Sequence, residues 1–335
     1  MTKIGVGGKY RPDSVLVLVL SMLAILSIMQ GLSDYASSPL TGYATITSNA
    51  TITNALPTLS SASLNGATDI TLSANSTVTV NGTVTVTDNN GCSDIDGVNM
   101  TLHNNNLTLE GSDDNRTRYI NASCKSHSDC SGGDDLAATY SCSFTLRHFA
   151  TPSDASSNHS ANKWNVTIFA WDSDGTGTGT TAQQEVNTLS SISVVSTAIA
   201  FGNIALGSNT GSTNTNVTVA NTGNIQLDVD VDAYGGTDGD DNSMNCTTGN
   251  VTVTLMKYNN ISFTYEATGS NFTSGYNMTD TAAELNLDAL QGSDSDNAPY
   301  EYIVFGMGLP STGVGGTCTG YVTIAANSDA NGLNS

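Results

Sequence analysis

Basic residues are scarce in this 335-residue chain: 9 Lys and Arg stand against 30 Asp and Glu, for a formal net charge of −21. Contacts to a phosphate backbone need Lys and Arg, so this balance argues against nucleic acid as a partner. Proline (6) and tryptophan (2) are rare as well. Few prolines leave room for long sheets, and two tryptophans are too few for an aromatic carbohydrate platform. No stretch matches HExxH, GxSxG or a Walker A loop, which removes the common hydrolase, metalloprotease and nucleotide signatures. The four histidines, His103, His127, His148 and His159, fall in loops or at strand edges without a recognisable partner. A Ser-His-Asp triad assembles in space and leaves no linear trace. The reading taken is a protein that is not an enzyme and has no cofactor beyond a structural calcium.

A membrane span needs about 20 apolar residues. The longest apolar stretch, Val15–Met29, has fifteen. It follows Lys3, Lys9 and Arg11 and precedes the small residues Gly31 and Ser33, the layout of a hydrophobic leader helix cut after Ser33. Two alternatives stay open. Residues 1–33 are retained as a signal anchor that ties the chain to the membrane, or a pilin-like leader is cut after Gly8. All three export the remainder. Of the 30 acidic residues 25 are Asp, which with so few Lys suits a cation-rich or halophilic setting, although a glycoprotein composition looks similar.

Beyond the leader the apolar pattern has period 2, the signature of half-buried strands. In IQLDVDVDAY the apolar Ile225, Leu227, Val229, Val231 and Ala233 alternate with Gln226, Asp228, Asp230, Asp232 and Tyr234. Asp228, Asp230 and Asp232 are read as one solvated face. STVTVNGTVTVTD (76–88), ATYSCSFTLRHF (138–149), KWNVTIFAWD (163–172) and NVTVTLMKYN (250–259) alternate likewise. The expected fold is all-β. Some 300 residues are too many for one sandwich and suit two. The Gly-Thr-rich stretch 173–190 is the natural junction, dividing residues 58–187 from 188–335, with 34–57 an extended segment after the leader.

Asn-x-Ser/Thr occurs fifteen times, at Asn49, Asn75, Asn81, Asn99, Asn106, Asn115, Asn121, Asn158, Asn165, Asn216, Asn245, Asn250, Asn260, Asn271 and Asn277. That is a modest excess over what 35 Asn and 86 Ser and Thr give by chance. Asp and Asn also crowd into three turns, DNNGCSDIDG (88–97), DSD (172–174) and DGDDN (238–242). Calcium takes six to eight oxygens, many from closely spaced carboxylates. The first candidates are Asp88, Asp94, Asp96, Asp172 and Asp174. The competing reading is ordinary turn chemistry, in which Asp and Asn bond their own backbone.

SISVVSTAIAFGNIALGSNTGSTNTNVTVANTGNIQLDVDV (191–231) is similar to a module of secreted surface proteins of archaea and of very small bacteria, with its Val-x-Asn-Thr-Gly-Asn hairpin. YIVFGMGLPSTGVGGTCTGYVTIAA (302–326) looks like the module's closing strands. VTDNNGCSDIDGVNMTL (86–102) with 149–175 resembles the immunoglobulin-like domain that precedes it. The resemblance implies two tandem immunoglobulin-like β-sandwiches and carries no catalytic residues.

Six cysteines in an exported chain imply disulfides. Cys246 and Cys318 are the only pair in the second half. In the first half, Cys142 on the face of Tyr140, Phe144 and Leu146 is expected to reach Cys92, leaving Cys124 with Cys130 as a stapled loop. A zinc site at Cys124-x-x-His127-x-x-Cys130 would lack a fourth ligand. The expected function is a self-assembling structural glycoprotein of the cell surface, in an S-layer or extracellular filament. The alternative is a surface adhesin.

Overall fold

The computed structural model describes residues 46–106, 111–121, 124–126, 130, 135–177 and 179–328. The leader and the rest of residues 1–45 lie outside them. The chain divides into two units, Met1–Thr53 and Asn54–Ser335. In the first, residues 46–53 are exposed and form no strand. Among the described residues the only helical turns are short 3-10 segments, and the protein is all-β, as its period-2 pattern requires.

The first core belongs to β1 (Thr58–Leu64), β2 (Thr77–Thr87), β3 (Gly97–Asn104), β4 (Arg118–Asn121), β5 (Lys125–Ser126), β6 (Ala137–Arg147), β7 (Trp164–Trp171) and β8 (Thr180–Gln184). They form two antiparallel sheets, ordered β1-β2-β6-β5 and β4-β3-β7-β8. Register explains the burial. Val80, Val84 and Val86 of β2 pair with Phe144, Tyr140 and Ala138 of β6, while Val98, Met100 and Leu102 of β3 pair with Ala170, Ile168 and Val166 of β7. These rows meet in one core. Between them Gly82 is a necessity, because a Cβ there would lie 2.8 Å from Met100 Sδ. Trp164 is fully buried, and its Nε1 donates to Thr151 O at 2.8 Å, so the largest side chain of this core leaves no unmet donor.

The stretch expected to be a junction is partly a strand. Thr180–Gln184 pairs with β7 along the sheet edge, and Val186 is a fully buried core residue. Its Gly-Thr composition hid a strand whose side chains are half exposed.

The second core is built by β9 (Ile192–Val194), β10 (Thr215–Asn221), β11 (Leu227–Tyr234), β12 (Asn242–Thr248), β13 (Asn250–Thr252), β14 (Met256–Asn259), β15 (Tyr276–Asn277), β16 (Ala283–Ala289), β17 (Tyr300–Met307), β18 (Gly315–Thr319) and β19 (Tyr321–Ser328). Their sheets run β15-β14-β17-β10-β9, β16-β11-β19 and β13-β12-β18. Val229 and Val231 of β11 join Val217, Ile303 and Phe305 in this core.

The aspartates of β11 depart from expectation. Asp228 is fully buried and Asp232 nearly so. As the middle strand, β11 is flanked on both sides. Asp228 Oδ1 accepts from the amides of Leu287 and Asp288, where the ladder with β16 shifts register. Asp230 accepts from Asn327 of β19 at 2.9 Å. Alternation alone cannot show that a polar face is covered.

The Asn221-Thr222-Gly223-Asn224 turn joins the two cores. Asn224 Nδ2 donates to Ala150 O at 3.1 Å and to Asn187 O at 3.0 Å, while its Oδ1 accepts from Leu189 N at 2.6 Å. Gly223 has no room for a side chain, since its Cβ would fall 2.1 Å from Leu189 O. Nearby Gln291 donates to Phe149 O at 2.9 Å and accepts from Arg116.

The disulfides are Cys92–Cys130, Cys124–Cys142 and Cys246–Cys318. The third is the expected pair and links directly opposed residues of β12 and β18. The other two correct the expected Cys92–Cys142 and Cys124–Cys130. Cys142 does face the core, but the end of β4 runs beside β6, where Asn121 donates to Ser143 O at 3.1 Å, so the chain delivers Cys124 to Cys142. Cys92 sits in the turn after β2, its N–H donating at 2.7 Å to Asp135 O, just ahead of β6. Cys124 is therefore anchored to β6 and Cys130 to the turn after β2. Closing loops of 38, 18 and 72 residues contributes about 3–4.5 kcal/mol each in the chain-entropy model. Non-reducing peptide mapping should recover these three pairs. A Cys92–Cys142 peptide would contradict the β4–β6 adjacency.

Candidate metal centre

Two Asp-rich turns converge at one end of the first core. The turn after β2 is fixed by Asp88 N donating to Leu136 O, Gly91 N to Asp88 O and Asp94 N to Gly91 O, at 2.8, 3.1 and 3.0 Å. Gly91 has φ 118°, a conformation that favours glycine. The Cys92–Cys130 disulfide holds the same turn. The turn after β7 is closed by Asp172, whose Oδ1 accepts from Asp174 N at 2.8 Å and Gly175 N at 2.9 Å. Asp96 N donates to Trp171 O at 3.0 Å and ties one turn to the other.

These constraints bring one carboxylate oxygen each from Asp88, Asp94 and Asp172 within 4.8 Å of one another. Asp88 is 0 % and Asp172 5 % exposed. Each has one oxygen in a turn, Asp88 Oδ1 accepting from Asn90 N at 2.7 Å. Each also has a buried Oδ2 with no donor. Two unit charges 4.8 Å apart repel by about 3 kcal/mol at an effective dielectric of about 20, and three carboxylates make three such pairs. Ordinary turn chemistry accounts for the Oδ1 atoms and not for the orphaned Oδ2 atoms, which a buried site normally supplies with a partner. An all-oxygen, triply anionic set suits a hard divalent cation.

The other two candidates do not join them. Asp96 and Asp174 are exposed, and their backbone N–H groups rather than their carboxylates serve the site. In the third Asp-rich turn Asp240 accepts from the amides of Gly235, Gly236, Asn242 and Thr237, which hold its carboxyl down at about 2. That turn is ordinary Asp capping.

His103 and His148 are buried, and burial lowers the pKa of both. His103 sits between Asn104 O and Thr167 Oγ1, at 3.1 and 3.2 Å. His148 packs edge-on against Phe149 at 5.3 Å, the core-edge place its alternation with Cys142 suggests. His127 lies outside the described residues. His159 lines a polar concavity of about 390 Å³ with Asp114 and Arg116. Burial pushes Asp114 up, but hydrogen bonds from the Thr117 hydroxyl and the amides of 116–118 outweigh it and hold its carboxyl below the usual range.

All fifteen sequon asparagines are exposed or half-buried. Asn49, Asn75, Asn81, Asn106, Asn158, Asn216, Asn250 and Asn271 are the exposed ones. Asn121 and Asn260 already use Nδ2, the atom a glycan would take, in bonds to Ser143 O and Asn286 O. Composition directed attention to tryptophan and missed tyrosine: Tyr300 and Tyr302 form an exposed edge-on pair at 5.7 Å, and Tyr234 stacks on the exposed Tyr321 at 5.1 Å.

No protein-family model and no curated relative matches the sequence. Among solved structures, the chain is similar to the secreted serine protease VesC from Vibrio cholerae. The identity is 12 %, over 77 % of this chain and 49 % of that one, with a TM-score of 0.17. A likeness that slight carries no argument about fold or activity.

Proposed function

We propose that this protein is a structural glycoprotein of the cell surface. It is the subunit of an S-layer or extracellular filament, made of two immunoglobulin-like β-sandwiches that bind calcium at Asp88, Asp94 and Asp172. The observation that carries the assembly reading is the start of the described chain. Residues 46–53 form no strand and are exposed, and they include Ile46 and Ile52, 90 % and 82 % exposed. Isolated apolar side chains on an unpaired segment gain by adding to another sheet, and a segment at one end meeting a different surface of the next copy propagates without closing. Three disulfides fit an oxidising compartment, and the acidic surface keeps unassembled copies apart.

Calcium would serve stability. Its charge would offset three converging carboxylates and fix the two turns against each other, with Asp88, Asp94 and Asp172 as its protein ligands. A cation that binds only the folded chain raises stability by mass action, about 2.7 kcal/mol at a hundredfold excess over Kd, or several degrees in Tm. Thermal melts in chelator and in millimolar calcium should therefore differ, and Asp172→Asn should remove most of the difference. Identical melts would leave the three carboxylates without a cation.

The assembly test follows from how the segment is attached. Ala55 N donates to Asn90 Oδ1 at 2.7 Å and Pro57 is buried, so a cut that spares Asn54 onward leaves the first core intact. Deleting residues 34–53 should preserve the melting temperature and abolish association in light scattering and electron microscopy. A mature full-length protein that stays monomeric at high concentration, with and without calcium, would sink the structural reading. It would favour the adhesin, for which the exposed tyrosine pairs offer the contact surface.

A further inference from the structure

The second core has an unfinished edge. Among the described residues β19 pairs on one side only, with β11, along all eight of its residues. Beside its free edge lies a groove of about 250 Å³ whose lining includes Ile199, Phe201, Val217, Met256, Val322 and Ile324. The other wall is the segment that follows β9, which runs past the core without pairing as a strand. Beside this groove β19 has no second strand partner among the described residues, and core side chains form its floor. Only an extended chain satisfies both, with its backbone on the ladder and alternate side chains below.

The chain carries a segment with that pattern. From residue 46 one face reads Ile46, Ser48, Ala50, Ile52, and the other Thr47, Asn49, Thr51, Thr53. The first face is apolar or small. The second is wholly polar and carries the Asn49 sequon, so an added strand would bury the first and turn a glycan outward. Along β19 the half-buried Val322, Ile324 and Ala326 alternate with the exposed Tyr321, Thr323 and Ala325, the complementary arrangement. In its own chain this segment leaves Ile46 and Ile52 exposed to solvent.

We infer that residues 46–53 of one copy add as a strand to the free edge of β19 in a second copy, seating Ile46, Ala50 and Ile52 in the groove. This rests on the self-assembly reading and names its acceptor. Every copy then offers one donor and one acceptor, which are different surfaces, so the contact repeats head to tail.

The test uses the full mature chain, in which no described cysteine is free. Thr47→Cys on the donor and Ala325→Cys on the acceptor place thiols on outward faces and leave the buried face native. The two single variants are mixed and treated with a short bis-maleimide. A covalent heterodimer is expected at about tenfold or more over a mixture of Thr47→Cys with Thr268→Cys, the contrast a specific contact makes with random encounter. Thr268 lies in the loop between β14 and β15, at the sheet edge opposite β9. In parallel, Ile46→Asp combined with Ile52→Asp should melt like the wild type, since both side chains are exposed, and should no longer assemble. Assembly without the heterodimer would place the acceptor elsewhere, overturning this inference and sparing self-assembly. Loss of both would overturn the two together. A cross-link formed only within a chain carrying both cysteines would mean that the segment closes on its own groove, and would also overturn it.

Discussion

The joint between the two cores centres on one buried side chain, with Gln291 bonded to Phe149 and Arg116 beside it. Asn224 sits in the turn after β10 with no exposed surface, and its amide is shared between Ala150 of the first core and Asn187 and Leu189 of the connection. An amide group offers two donors and an acceptor in one plane, and here all three are matched in a site closed to water. Gly223 makes this possible by letting the backbone of residues 189–191 approach where any Cβ would collide. Both cores lie within one compact unit, Asn54–Ser335.

That rigidity gives the charge pattern its meaning. A net charge of −21 opposes compaction, and the structure adds to the strain by gathering Asp88, Asp94 and Asp172 at one point. The Cys92–Cys130 disulfide and the hydrogen-bonded turns hold those carboxylates close together. Cys92 belongs to the same turn as Asp88 and Asp94. Oxidative folding and the proposed metal binding would thus act on one loop.

Much of the fold was legible because a strand's side-chain period is short and local. The alternation in 76–88, 138–149, 163–172 and 250–259 marked β2, β6, β7 and β13–β14, and the cysteine count by region gave Cys246–Cys318. What depends on which strand lies beside which was not legible. The β4–β6 adjacency reassigns four cysteines, and burial of β11 on both faces turns Asp228 from a solvated residue into a buried capping group. The candidate site falls between these cases. Asp-rich turns pointed to five aspartates, of which three converge. Selecting Asp88, Asp94 and Asp172 required knowing that the turns after β2 and β7 meet. The Asn-Thr-Gly-Asn turn stood out as a motif, but nothing local shows that its last asparagine reaches Ala150, 74 residues away.

The central claim is that the two β-sheet cores behave as one body, because the proposed strand donation would pass load along an assembly only if the joint does not yield. Calorimetric unfolding of Asn224→Ala beside the wild type tests it most directly. Truncation leaves Ala150 O, Asn187 O and Leu189 N without their partner, a loss of roughly 2–4 kcal/mol. The account predicts one cooperative transition for the wild type and, for the variant, a lower transition that separates into two. A variant that unfolds in a single transition at the wild-type temperature would contradict it.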